Sequence, residues 1–293
     1  MCRLFGMTAG REPVRATFWL LDASDSLARQ SYREPDGTGL GWFGADGAPH
    51  ISKQPHAAYS DKTFAREARE VSSRTFVAHV RFASTGALTR PNTHPFEQDG
   101  RLFAHNGVIE DLPALDAQLA DSRRLVHGDT DSERFFALIT RETAARGGDV
   151  AGGIAAAVSW IAEQLPLFAL NFVLISESDL WALRYPDTHE LYVLERDAGT
   201  VLRHESAAGT RVHSDDAVER PLVVIASERM DDDPGWRLLR SGELLHVSPR
   251  LEVSTHQIRE SPPAQLLSLA DLSTQARASQ AHAPGSAHSA PGT

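Results

Sequence analysis

The order in which apolar runs and helical periodicities follow one another constrains this chain more than any other property of its sequence. Short apolar runs at 4–9, 75–82 and 102–109 read as strands. The segment 37–43, entered from a turn at Pro35-Asp36, reads as another and leads to an Asp46-Gly47 hairpin signal. Helices are expected over 18–32, 64–71, 112–119, 131–140 and 152–165. From Phe168 onward, runs at 169–176, 180–184, 191–195, 222–227 and 244–248 are separated by turns, as in consecutive antiparallel strands. Strands, then helices, then strands again predict an α+β layered sandwich and not an alternating βαβ fold.

Composition narrows the functional class. The 293 residues are 41% hydrophobic, enough for one large domain or two small ones. A net charge of −10 supplies no basic field for nucleic acid or anionic lipid. No apolar run approaches the roughly 18 residues of a membrane-spanning helix, and Cys2-Arg3-Leu4 turns polar too soon for a secretory signal. One cysteine permits neither an internal disulfide nor a thiolate zinc cluster, so the expected location is the cytoplasm. Large apolar residues cease after Leu272. Residues 2–272 are therefore expected to fold, and 273–293, rich in Ala, Ser, Pro, Gly and His, to form a disordered tail.

The lone cysteine stands at position 2. When an aminopeptidase removes Met1, as happens ahead of a small residue, Cys2 carries a thiol and a free α-amine. Their reference pKa values, about 8.5 and about 7.7–8.0, make proton exchange between them inexpensive at neutral pH. Nucleophile and base then reside in one residue. The alternative is a buried cysteine that merely fits a strand.

Three further stretches carry chemistry-bearing groups. Arg81, inside a strand-like run that ends in Ser84-Thr85-Gly86, has the fork geometry to clamp a carboxylate, or is a surface arginine on an edge strand. Asn106-Gly107 closes an apolar run; it is either a hairpin turn or a pair of donors for a developing oxyanion. Gly128-Asp129-Thr130-Asp131-Ser132-Glu133 is a helix cap or the source of a carboxylate that receives a substrate ammonium.

Met1-Cys2-Arg3-Leu4-Phe5-Gly6, His79 through Gly86, Asn92-Thr93-His94-Pro95-Phe96, His105-Asn106-Gly107 and Asp129 through Glu133 together resemble class II glutamine amidotransferases in order and spacing. The resemblance covers roughly residues 2–250. It is strongest to the stand-alone branch that includes the ergothioneine-pathway γ-glutamyl amidohydrolase, on the further residues Pro35 through Trp42, Ala226-Ser227-Glu228 and Trp236. It implies that residues 2–272 form a four-layer αββα sandwich of the N-terminal-nucleophile hydrolase type. By the same resemblance Cys2 is the nucleophile and its α-amine the base. Arg81 holds the glutamyl α-carboxylate, Asp131 the α-ammonium, and Asn106 with Gly107 the oxyanion. Where the sugar-phosphate synthase branch has Trp, Ala, Thr, His and Gly, this chain has Phe82, Ala83, Ser84, Thr85 and Gly86, so Ser84 and Thr85 are secondary substrate contacts of a differently built pocket.

The implied reaction is hydrolysis of a γ-glutamyl amide through a thioester, releasing glutamate and ammonia or a larger amine. A glutaminase subunit feeding a separate synthase, and a non-catalytic binding protein of the same fold, are the alternatives. No cofactor is implied, the partner is a small γ-glutamyl molecule, and homo-oligomerisation is open. Among the 13 histidines, His79, His94, His105 and His127 are metal candidates, yet no HExxH pair is present and no metal is expected. Gly37-x-Gly39-x-Gly41 lacks the dinucleotide spacing, no GxSxG elbow occurs, and Asp231-Asp232-Asp233 reads as a solvated turn.

Overall fold

The computed structural model describes residues 2–82, 87–199 and 220–281, and the backbone of two short strands at 203–205 and 211–213. In chain order the strands are β1 (Arg3–Thr8), β2 (Gly37–Phe43), β3 (Pro49–Gln54), β4 (Thr75–Arg81), β5 (Phe96–Gln98), β6 (Arg101–Ile109), β7 (Leu167–Ile175) and β8 (Leu180–Arg184). They continue with β9 (Tyr192–Arg196), β10 (Arg203–Glu205), β11 (Arg211–His213), β12 (Leu222–Ala226), β13 (Arg237–Leu238), β14 (Glu243–Val247) and β15 (Val253–Gln257). The helices are α1 (Leu27–Gln30), α2 (Lys62–Glu70), α3 (Leu112–Leu119), α4 (Asp131–Ala145), α5 (Val150–Gln164) and α6 (Thr274–Gln280). One sheet runs β13-β9-β12-β1-β4-β2-β3, the other β15-β14-β8-β7-β6-β5, and β10 pairs with β11.

Side chains alternate across each strand, and the alternation separates three cores. Leu4, Val77, Leu102, Ala104, Val173 and Val223 fill the space between the sheets. Phe5, Phe76, Ala78 and Val80, at intervening positions, pack beneath Phe18, Trp19 and Leu20 and beneath Phe64 and Ala68 of α2. Phe103, Phe172 and Leu183 leave the opposite face of the second sheet and meet Phe135, Phe136, Ile154 and Ile161 of α4 and α5. The layers are therefore αββα. Burial on both faces makes β7 a continuous apolar run, Leu167 through Ile175, with only Asn171 polar.

Helices α4 and α5 begin where hydroxyl and carboxylate caps stand: Thr130 Oγ1 accepts from Glu133 N at 3.2 Å, and Asp149 Oδ1 from Gly152 N at 3.0 Å. Phe103 is fully buried, with ring centroids 4.8 Å from Phe136, 5.3 Å from Phe172 and 5.6 Å from Phe135. Phe103→Ala is expected to lower stability by about 3–5 kcal/mol in urea denaturation. A loss below about 1 kcal/mol would show that this cluster does not hold the helical layer in place.

Two segments differ from expectation. In place of one helix over 18–32, the chain forms a π-helical turn at Phe18–Asp22 and the short α1. Between them Asp25 N and Ser24 Oγ both donate to the Met230 carbonyl, a tertiary tie that breaks the helix. Residues 274–280 of the expected tail form α6, capped by Ser273. There Leu272 and Ala276 pack on Val108, Phe168 and Ala169, and His189 Nε2 lies 2.6 Å from Gln280 Oε1. Those contacts supply burial that the small-residue composition concealed. The rest of that segment, 282–293, lies outside the described residues.

Candidate active site

The strand alternation brings the sequence-selected groups to one end of the inter-sheet layer. Cys2 has the parity of Leu4, Arg81 that of Val77, and Asn106 that of Ala104, whose apolar side chains all fill that layer. Cys2, Arg81, Gly107 and Asp131 line one pocket, joined by Phe82, His94 and His105. Asn106 completes the group by donating from Nδ2 to the Cys2 carbonyl at 3.2 Å. Ser84 and Thr85 lie outside the described residues.

Cys2 is 6% exposed, and its sulfur sits against the next strand, 3.3 Å from Phe82 N and 3.2 Å from Phe82 O. Burial raises the thiol pKa above its ordinary value and the Glu34 carboxylate raises it further, while the Phe82 backbone and Arg81 act in the opposite direction. Glu34 is itself buried beside Arg3, whose Nη1 lies 3.5 Å away; Arg3 Nη2 lies 2.7 Å from Glu228. Ser227, the neighbour of Glu228, accepts from Leu4 N at 3.1 Å. Residues 226–228 thus clamp the strand that carries Cys2. Replacing the carboxylate in Glu34→Gln is expected to lower the thiol pKa, so the pH profile of Cys2 alkylation by iodoacetamide should shift to lower pH. An unmoved profile would show that Glu34 does not sense the sulfur.

Asn106-Gly107 is not a turn. It lies within β6, with Asn106 opposite Asn171 and Gly107 opposite Leu170 of β7. Leu170 N donates at 2.6 Å to the Tyr185 carbonyl, on the β8 side of β7. The Gly107–Leu170 pair is therefore of the non-hydrogen-bonded kind, and the Gly107 N–H points away from β7. Ile109, of the same parity, confirms the direction by donating from N to Asp131 Oδ2 at 2.9 Å. Strand β5 pairs only as far as Phe103, so this edge of β6 is open to the pocket. A side chain at 107 would collide with the Ala169 carbonyl, which explains the glycine.

Asp131 is 1% exposed at the start of α4, where Thr130 supplies the cap; the turn serves both capping and the pocket. Ser132 Oγ lies 3.4 Å from Asp131 Oδ1 and 2.9 Å from His105 Nδ1, while His105 Nε2 faces the Ala169 carbonyl at 3.2 Å. The carbonyl only accepts, so Nε2 carries the proton in neutral His105. Arg81 Nη1 donates to the Ala87 carbonyl at 3.3 Å; burial lowers the guanidinium pKa, and Cys2, Asp36 and Asp131 raise it.

The remaining candidates take other roles. His79 and His94 pack with centroids 4.2 Å apart and ring planes tilted by 34°; burial pushes His79 down to about 3 and His94 well below the usual range, so both rings are neutral. Among the described residues no group of three His, Cys, Asp or Glu is arranged to hold a metal ion. The glycines of β2 serve packing: a side chain at Gly39 would meet the His94 carbonyl and Pro95. Asp231 and Asp233 each lie 2.8 Å from Arg196, so the acidic turn is an ion-paired one. Arg3, Ser132 and Asn92 stand in the quoted motifs and Glu34 immediately before one, yet none has a role legible in sequence because their partners lie in distant segments.

Residues 1–267 match the family described as glutamine amidotransferases class-II. Over 240 residues the chain is 30% identical to the gamma-glutamyl-hercynylcysteine sulfoxide hydrolase of Mycolicibacterium smegmatis, spanning 78% of this chain and 88% of that protein. Over 159 residues it is 29% identical to the Saccharomyces cerevisiae protein named "Probable glutamine amidotransferase DUG3", spanning 47% of this chain and 44% of that one, less than half of its length. The Bacillus subtilis glutamine phosphoribosylpyrophosphate amidotransferase shares the fold with a TM-score of 0.61 at 18% identity, over 89% of this chain and 50% of that one. The αββα sandwich is thus the N-terminal-nucleophile hydrolase fold. No helix among the described residues is long and apolar enough to cross a membrane.

Proposed function

We propose that this chain, which belongs to the class II glutamine amidotransferases, hydrolyses γ-glutamyl amides through a thioester on Cys2. The observation that carries this reading is the single pocket lined by Cys2, Arg81, Gly107 and Asp131, with Asn106 bonded to the Cys2 carbonyl. Once Met1 is removed, the α-amine of Cys2 takes the thiol proton and Sγ attacks the γ-carbonyl carbon. Asn106 Nδ2 and Gly107 N–H receive the oxyanion. The C–N bond breaks, the leaving amine takes the proton back, and water hydrolyses the thioester to glutamate. Arg81 and Asp131 bind the α-carboxylate and α-ammonium, so the far end of the substrate fixes its γ-carbonyl over the sulfur. Residues 2–272 act as the amidotransferase domain, and the leaving group is an amine larger than ammonia, in keeping with the relative that spans most of both chains.

A panel comparing glutamine with γ-glutamyl amides of larger amines tests the leaving group. Preference for γ-glutamyl conjugates is expected; preference for free glutamine by orders of magnitude would favour a glutaminase serving a synthase. Incubation with a glutamine-like diazoketone should label Cys2 alone, read by mass, in a chain that lacks Met1. A processed chain that stays unlabelled and turns over no γ-glutamyl amide would leave a binding protein of the same fold.

A further inference from the structure

Asn92 is 1% exposed, and its amide touches both halves of the substrate-binding arrangement. Nδ2 donates to the Ala87 carbonyl at 3.2 Å, the same oxygen that receives Arg81 Nη1 at 3.3 Å. Oδ1 accepts from Asp129 N at 2.8 Å, and Nδ2 lies 3.4 Å from Asp129 Oδ2. Asp129 stands two residues before Asp131 in the turn that opens α4. Gly128 admits the contact, since a side chain there would collide with Asn92 Oδ1. One buried amide therefore ties the anchor of Arg81 to the turn that carries Asp131, across 37 residues of sequence.

We infer that Asn92 is a positioning residue that sets the separation between Arg81 and Asp131, and thereby selects α-amino acid γ-amides whose two α-substituents match it. The inference rests on the reading of the pocket as a γ-glutamyl site. It has a consequence that general destabilisation lacks. A substrate engaging both Arg81 and Asp131 senses their separation; an analogue that engages only one does not. Misplacing either group by about 1 Å costs a two-ended substrate on the order of 10- to 100-fold.

The test uses the full chain lacking Met1 and three chromogenic amides of one leaving group: γ-glutamyl-p-nitroanilide, glutaryl-p-nitroanilide without the α-amine, and 4-aminobutyryl-p-nitroanilide without the α-carboxylate. Wild type should prefer the first over both others; failure of that preference overturns the γ-glutamyl reading, and this inference with it. In Asn92→Ala, kcat/KM for the γ-glutamyl substrate should fall on the order of 10- to 100-fold while the two analogues change less than about twofold, so both discriminations shrink together. Asn92→Asp, nearly isosteric, loses the donor to Ala87 and faces the Asp129 carboxylate; it should show the same collapse and carries the test where the alanine variant does not fold. An equal fall for all three substrates, a loss of one discrimination only, or no change in either, in a wild-type background that shows the preference, overturns the assignment of Asn92.

Discussion

Cys2→Ala should lower γ-glutamyl amide turnover by on the order of 10⁶-fold, the scale on which a covalent route disappears when its nucleophile is removed. The thiol is buried and touches its surroundings through Phe82 alone among the described hydrogen bonds, so the variant should keep its fold and thermal transition. A chain that retains Met1 should resemble it in turnover for a different reason: its residue-2 nitrogen is an amide with no basic lone pair. Its sulfur, however, should still alkylate at high pH. Turnover of matched preparations, with the mass of each chain determined, separates the two cases. Residual activity of Cys2→Ala within about tenfold of wild type would mean that the sulfur is not the nucleophile.

On the proposed mechanism Asn106→Ala should lose on the order of 10²–10³ in kcat with little change in KM, since its amide would meet charge that develops only in the transition state. In this chain the amide also donates to the Cys2 carbonyl, so part of the loss should reflect a displaced sulfur. An amide carries two N–H donors, enough for both tasks. Asn106→Asp separates the contributions: it keeps the shape, removes both donors and brings a charge toward the oxyanion. It should be at least as impaired as the alanine variant. Wild-type kcat in either would remove Asn106 from the oxyanion site.

Much of this arrangement was legible in sequence because it follows from local pattern. The buried strands β1, β4, β6 and β7 announce themselves as apolar runs, and α4 begins where Thr130, Asp131 and Glu133 supply a cap and first-turn acids. What stayed hidden depends on long-range contact. Asn106-Gly107 carries turn propensity, but pairing of Leu102 through Ile109 with β7 overrides it. The helix expected over 18–32 is interrupted by Met230, more than 200 residues away. Strands β5 and β13, of three and two residues, are too short to show periodicity. The link of Glu34 through Arg3 to Glu228 has no local signature either, because a charge beside a proline reads like any exposed turn.

The seat of β1 between β4 and β12 fixes a timetable. Leu4 exchanges hydrogen bonds with Ser227, and β1 pairs with Ala226 back to Val223. More than 220 residues must leave the ribosome before that neighbour exists, which at 5–20 residues per second takes on the order of 10–40 s. Throughout that interval one edge of β1 has no partner, and Cys2, the residue just ahead of the strand, is not yet held by its final neighbours. On the proposed mechanism, a chain that completes this seat with Met1 still attached is folded yet lacks its base, so slow trimming would leave a folded but silent population. The ratio of trimmed to untrimmed chains would then determine specific activity independently of stability.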